Sequence, residues 1–297
     1  MDAADLRIFE SVARLGGMSR AASELNTVQS NVTTRVRHLE EELATPLFQR
    51  HSRGVTLTAA GRRLLPYASA VARLLDDARR AAVDDGTPKG LLTLGSLETT
   101  AALRLSPLLA DYAAAHPAVD LVLRTGTTGE LIEAVLGHRV EGAFVCGPVE
   151  HPELDHEVLF REQLVVATAP QVRGLGDLAD QPELKVVVLR AGCSYRQRLE
   201  EILTRRGIVG LRRLEFGTID SIVGCVAAGL GVTLLPRGVV TPAARDGRVV
   251  LHDLAPEEAR ADTLFIRRKD GFVSSALNAF LALARRTYGQ ELAAAAE

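Results

Sequence analysis

The 297 residues carry no excess of positive charge, since 35 Lys and Arg face 37 Asp and Glu and the formal net charge is -2. The chain as a whole is therefore not drawn to a polyanion, and any nucleic-acid affinity must come from a local basic patch. No apolar run reaches the ~18 residues that a membrane-spanning helix needs. No charged leader followed by an apolar core opens the chain, so no secretory signal is expected and the cytoplasm is the expected location. Cys146, Cys193 and Cys225 lie far apart and form no CxxC pair, which fits a reducing compartment better than a disulfide scaffold. The motifs of common enzymes are also missing, with no GxSxG, HExxH or Walker sequence. The glycines of 226–236 neither open a helix as GxGxxG nor form GK[ST], and read as a helix end turning into a strand. The adjacent acids Glu41-Glu42 and Glu257-Glu258 would point apart on a helix. Neither catalysis, a cofactor nor a metal is expected.

What is present is an ordinary soluble composition, 47% hydrophobic and 24% charged, long enough for two domains. The most informative stretch is 18–40. Leu6, Phe9, Val12, Ala13 and Leu15 recur at helical spacing before it, and Gly16-Gly17 stops that helix. Ser19 is expected to cap a second helix burying Ala21, Ala22 and Leu25, and Asn26 or Thr27 a third, with Val28, Val32, Val36, Leu39 and Leu43 on its buried side. Projection at 3.6 residues per turn puts Ser30, Thr34 and Arg37 on the opposite side, flanked by Asn31 and Thr33, with Gln29 at the edge. Together with Ser19 and Arg20, these types suit the reading of bases in a major groove. A solvated face is the alternative, but from Leu25 to Leu39 there is no carboxylate, while Arg35, Arg37 and His38 fall inside. Two short β-like runs around Ser52-Arg53-Gly54 then read as a hairpin, whose Arg50, His51 and Arg53 would touch phosphates or a minor groove.

The spaced matches Phe9-x-x-Val-Ala13, Ser19-x-Ala21-Ala22-x-x-Leu25, Gln29-x-x-Val32-Thr33, Leu39-Glu40-x-x-Leu43, Pro46-Leu47-Phe48-x-Arg50 and Leu57-Thr58-x-Ala60-Gly61 together resemble the LysR-type transcriptional regulators. Where that family commonly has Ser-Gln-Pro-Ala and a later Ser, this chain has Val28-Gln29-Ser30-Asn31 and Thr33, so operator preference does not carry over. Residues 1–58 are thus expected to form a winged helix-turn-helix. Thr58 can cap a long helix to about Asp84, with Leu64, Ala68, Val71, Leu75, Ala78 and Ala82 as a heptad seam and Pro66 as a kink. Packing on its own domain is the other use of that stripe. The resemblance implies that this helix makes a homodimer, with a homotetramer as the further assembly. It also implies double-stranded DNA as partner, and RNA polymerase if the protein activates. Residues 59–90 then form the linker helix and hinge.

From Leu91 short apolar runs alternate with helical segments. Runs at 91–95, 119–123, 142–145, 164–168, 186–189, 232–235 and 264–266 read as strands, which points to βαβ units and a mainly parallel sheet. Two lobes fit, the first at about 91–165 and 268–297 and the second at about 166–267, with crossings near 167–170 and 264–267. The resemblance implies the two-lobed fold of periplasmic binding proteins over 91–297, with a small-molecule effector between the lobes. Loops after the strands hold hydroxyls and helix N-termini suited to a small anion such as a carboxylate. The resemblance puts Ser96, Thr99, Thr100, Thr127, Cys146, Cys193, Ser194 and Thr218 at the cleft. Ordinary helix capping is the alternative for each hydroxyl. Cys193, between Arg190 and Arg196 before a helix, leaves redox sensing open. An enzyme with a basic appendage and a nucleoid-type DNA binder are the competing functions.

Overall fold

The computed structural model describes residues 1–51, 54–179, 183–189 and 194–294, the side chains of Arg50 and 290–294 excepted. Its contacts divide the chain into two compact units, Met1–Asp84 and Asp85–Glu297.

The first unit contains α1 (Ala3–Leu15), α2 (Met18–Glu24), α3 (Gln29–Glu42), the hairpin of β1 (Phe48–His51) and β2 (Gly54–Leu57), and α4 (Ala59–Val83). A reciprocal cap starts α1: the Asp5 N–H donates to Asp2 Oδ1 at 2.8 Å and the Asp2 N–H to Asp5 Oδ2 at 3.1 Å. Gly16 ends it at φ 67°, a left-handed conformation that a side chain would strain. The next two starts differ from expectation. Gly17 precedes α2 and Val28 precedes α3, and neither helix has a side-chain cap. Asn26, at φ 51°, instead turns the chain between them, a conformation that asparagine tolerates. Because α3 begins only at Gln29, Val28 lies outside the helical register and is 65% exposed, and Leu43, at the far cap, is exposed too. The core below is Phe9, Val12, Ala21, Ala22, Val32, Val36, Leu39, Leu47 and Phe48, with Ala68 of α4.

Thr58 does cap α4, accepting from the Gly61 N–H at 3.0 Å, and the helix continues through Pro66. Three residues of the expected seam are used within the unit itself. Ala68 is fully buried in its own unit, and Leu64 and Val71 pack against the same core. The face left open carries Tyr67 and Leu74, 71% and 63% exposed. Continued along the helix, the exposed positions of that face are Tyr67, Leu74, Ala78 and Ala81.

The second unit opens with β3 (Gly90–Ser96), α5 (Glu98–Thr100), a π-helical turn at Ala101–Leu105, α6 (Ser106–Ala115), β4 (Val119–Thr125), α7 (Thr128–Leu136), β5 (Gly142–Cys146) and β6 (Leu154–Thr168). It continues with β7 (Lys185–Leu189), α8 (Ser194–Arg205), β8 (Arg212–Phe216), α9 (Ile219–Ala227), β9 (Thr233–Pro236), α10 (Arg237–Arg245), β10 (Val250–His252), α11 (Pro256–Ala259), β11 (Arg260–Arg268) and α12 (Ser275–Ala294). β3 pairs parallel with β4 and β5, and β7 parallel with β8. The rest is antiparallel, so the expected mainly parallel sheet is mixed. The reason is that β6 leaves the first lobe and β11 returns to it, side by side in opposite directions, from Arg260↔Gln163 to Arg268↔Leu154. Beyond that overlap β6 pairs with β9 and β10 of the second lobe. The crossings therefore fall near 163–164 and 260, several residues before the expected positions. Residues 263–266 pair with β5 of the first lobe rather than with the second.

The α12 helix packs back on the first lobe, where Phe280 joins Tyr112, Phe144, Phe160 and Phe265. The Tyr112 hydroxyl donates to Ala276 O at 2.8 Å, and burial pushes its pKa up to about 12. A second apolar cluster runs through both lobes, from Leu131 and Val135 of α7 to Leu199 and Ile202 of α8. In the second lobe Thr168 Oγ1 and His252 Nε2 share a hydrogen bond at 2.7 Å. Burial lowers the His252 pKa below its usual 6.5. Thr263 of β11 is fully buried, and among the described residues its hydroxyl has no hydrogen-bond partner.

Candidate nucleic-acid interface and effector cleft

Three apolar residues, Val32, Val36 and Leu39, fasten α3 to the first unit's core and so fix which side faces outward. Gln29, Ser30, Asn31, Thr34, Arg37 and His38 are exposed, and Thr33 is half-buried at the margin. Ser19 is not a cap; its hydroxyl donates to Gln29 Oε1 at 2.9 Å and ties the starts of α2 and α3 together. Arg20 is exposed, and its guanidinium folds back over Gly16 and Gly17. Asn31 Nδ2 donates to Thr27 Oγ1 at 3.0 Å. Arg37 Nε donates to Glu41 Oε1 at 2.7 Å, with the arginine side chain 75% exposed. Arg35, counted in the basic patch by sequence, is turned the other way. It donates to Asp5 Oδ1 at 2.8 Å and to Asp2 Oδ2 at 3.3 Å, clamping α3 onto the start of α1.

The hairpin pairs Phe48↔Leu57 through His51↔Gly54, and His51 is exposed at its tip. Arg50 lies on β1 opposite Val55. Arg53 lies outside the described residues. Glu40, which sequence reasoning used only as a motif letter, has a defined role. Its Oε1 accepts from the Leu47 N–H at 2.7 Å and the Phe48 N–H at 3.0 Å, which fastens the hairpin to α3.

In the second unit a narrow cleft opens between the lobes. Of the residues expected there, Thr99, Thr127, Cys146 and Ser194 line it. Thr127 also caps α7 in a reciprocal cap with Glu130. Ser96 is fully buried, and its hydroxyl donates to Leu97 O at 2.9 Å. Thr100 is buried and does not line this cleft. Thr218 is an exposed cap, accepting from the Ser221 N–H at 3.3 Å. Cys193 lies outside the described residues.

Sequence reasoning missed Thr128, Glu98, Leu97, Leu189 and Tyr195, which also line the cleft. Thr128 Oγ1 accepts from the Ser194 hydroxyl at 3.1 Å, across the lobes. Glu98 Oε1 accepts from the Ile219 N–H at 3.1 Å, again across the lobes. Glu98 was legible as the one acid in the loop after β3, but its reach depends on how the lobes face each other. Among the described residues no group of His, Cys, Asp and Glu is placed to hold a metal, and no helix is long and apolar enough to cross a membrane.

Comparison with known proteins follows the same division. Residues 3–62 match the model "Bacterial regulatory helix-turn-helix protein, lysR family", and residues 85–289 match "LysR substrate binding domain". The HTH-type transcriptional regulator GltR of Bacillus subtilis is 42% identical over 276 residues, 93% of either chain. The HTH-type transcriptional regulator CzcR of Bacillus thuringiensis is 40% identical over 281 residues, 95% of this chain and 96% of the relative. Among solved structures, a cysteine-to-aspartate variant of full-length OxyR from Pseudomonas aeruginosa superposes with a TM-score of 0.71 at 18% identity, covering 96% of this chain and 95% of that one. Full-length CbnR complexed with its target DNA gives a TM-score of 0.63 at 24% identity, covering 97% and 100%.

Proposed function

The chain belongs to the LysR family of bacterial transcriptional regulators, and from that premise we propose how its parts divide the work. It is a DNA-binding regulator with an effector-binding domain, not an enzyme. In our reading residues 1–58 bind DNA, 59–90 pair two copies, and 91–297 bind the effector. The lobe boundaries follow the crossing strands, near 163–164 and 260.

The α3 helix enters a major groove with Gln29, Ser30, Asn31, Thr34 and Arg37 toward base edges and Thr33 beside them. Ser19 and Arg20 at the start of α2, and Arg50, His51 and Arg53 of the hairpin, contact backbone phosphates or the adjacent minor groove. The observation that carries this is the outward side of α3. It is exposed and free of acid from Gln29 to His38, while Val32, Val36 and Leu39 hold the other side in the core.

Two copies join along the open face of α4 at Tyr67, Leu74, Ala78 and Ala81, placing two α3 helices on two half-sites. The effector binds between the lobes and shifts an existing equilibrium of arrangements by its differential affinity. Footprinting of the purified protein on its own promoter region tests the reading. The expected result is a protected pair of half-sites whose occupancy falls with salt. Protection nowhere in that region, or equal binding to any sequence, overturns it.

A further inference from the structure

The cleft between the lobes contains an anion of its own. Glu98 begins α5 in the first lobe, and its Oε1 takes the hydrogen bond of the first N–H of α9 in the second, at 3.1 Å. That helix end carries partial positive charge, the kind of place where sequence reasoning expected a ligand carboxylate. Glu98 already occupies it. Among the described residues nothing donates to the second oxygen, Oε2, although a carboxylate offers about four acceptor sites. The rest of the described wall is uncharged, with apolar surface from Leu97 and Leu189 and hydroxyls from Thr99, Thr127, Thr128 and Ser194. Glu98 is its one charged side chain. An entering carboxylate would face like charge in a partly dehydrated space, whereas a cation would gain a counter-ion with an acceptor to spare.

We propose that the effector is a small aliphatic amine, amidine or guanidine whose charged donor group binds Glu98. The identification rests on the reading of the interlobe cleft as the effector site. The apolar wall takes the carbon chain, and the hydroxyls of Thr127, Thr128 and Ser194 take further donors or acceptors. The cleft is narrow, with about 20 Å³ open to the centre of a water molecule, which favours a slender ligand over a bulky one.

Thermal-shift titration of the full chain tests this with matched compounds at constant ionic strength: n-butylamine, putrescine and agmatine against butyrate, succinate and 1,4-butanediol. A ligand that binds only the folded protein raises its Tm with concentration. The amine series is expected to do so and the other three compounds not. Glu98→Gln, which keeps the shape and an acceptor oxygen, is expected to weaken the amine response at least tenfold, and Glu98→Asp to weaken it less. Carboxylates that stabilise the wild type, amines whose effect survives in Glu98→Gln, or silence from the amines each overturn the proposal. Ser194→Phe, which fills the cleft from the second lobe, separates the two levels. If it abolishes a carboxylate response, the cleft reading stands and the amine assignment falls; if any response survives it, the cleft reading falls as well.

Discussion

Arg37→Ala on α3 is the sharpest probe of the DNA interface. Arg37 projects from the exposed side one turn before Glu41, and the pair is solvated, with 75% and 55% of the side chains exposed. An exposed i,i+4 pair of this kind contributes about 0.3–0.5 kcal/mol to a helix, so the fold should barely register the loss. On DNA the same guanidinium, bidentate on a guanine, is worth about 1–3 kcal/mol of discrimination. At about 1.4 kcal/mol per tenfold, that is about a 5- to 150-fold rise in operator Kd. The assay is fluorescence anisotropy with an operator duplex and a scrambled duplex, each titrated at low and high salt. Affinity for the operator is expected to fall and the preference over the scrambled duplex to shrink, with the salt slope unchanged. If both duplexes weaken equally and the slope drops by about 0.9, Arg37 holds a phosphate instead. A loss under twofold, or a Tm drop of several degrees alongside the affinity loss, would refute the reasoning.

Thr263→Val removes a fully buried hydroxyl that has no partner among the described residues, at nearly constant shape. It should stabilise the effector domain by about 1 kcal/mol in urea unfolding, and destabilisation would mean the hydroxyl is paired. His252 is neutral in the fold and its pKa is lowered by burial, so the unfolded chain takes up the proton first as pH falls below 6.5. Stability should therefore be flat above that pH and decline below it, and His252→Gln should flatten the decline; an unchanged profile in the variant would remove His252 from the account. Leu74→Asp places charge on the open face of α4, where Leu74 is 63% exposed. It should reduce the assembly's size on gel filtration while leaving each copy folded, and an unaltered elution volume would exclude that face from the pairing.

The DNA-binding unit was legible because its signals are local. Gly16 stops α1 where a left-handed residue is needed, and the apolar spacing of Val32, Val36 and Leu39 orients α3 without reference to anything distant. What failed there was also local but finer. Hydroxyl residues near a helix start looked like caps, while the starts fell after Gly17 and Val28, where backbone geometry alone served. In the effector domain the central strands announced themselves as apolar runs. β8 did not, because Arg212-Arg213-Leu-Glu-Phe216 is short, charged and largely exposed. The mixed sheet was invisible for another reason: strand direction is set by β6 and β11 meeting across some hundred residues. The same distance hid Glu98 and Thr128. Each makes its defining bond to the opposite lobe, and no window of sequence holds both partners.

Glu40 gives the first unit a property that belongs to neither of the parts proposed to contact DNA. By accepting two N–H groups at the entry to β1, it makes α3 and the hairpin a rigid gauge. Such a gauge measures a fixed step from one groove to the next. On the proposed interface one copy would then take a half-site of set length, and a base pair inserted within it is expected to be penalised whatever the effector does. Any adjustment that the effector commands must fall elsewhere, on the spacing and angle between one half-site and the other.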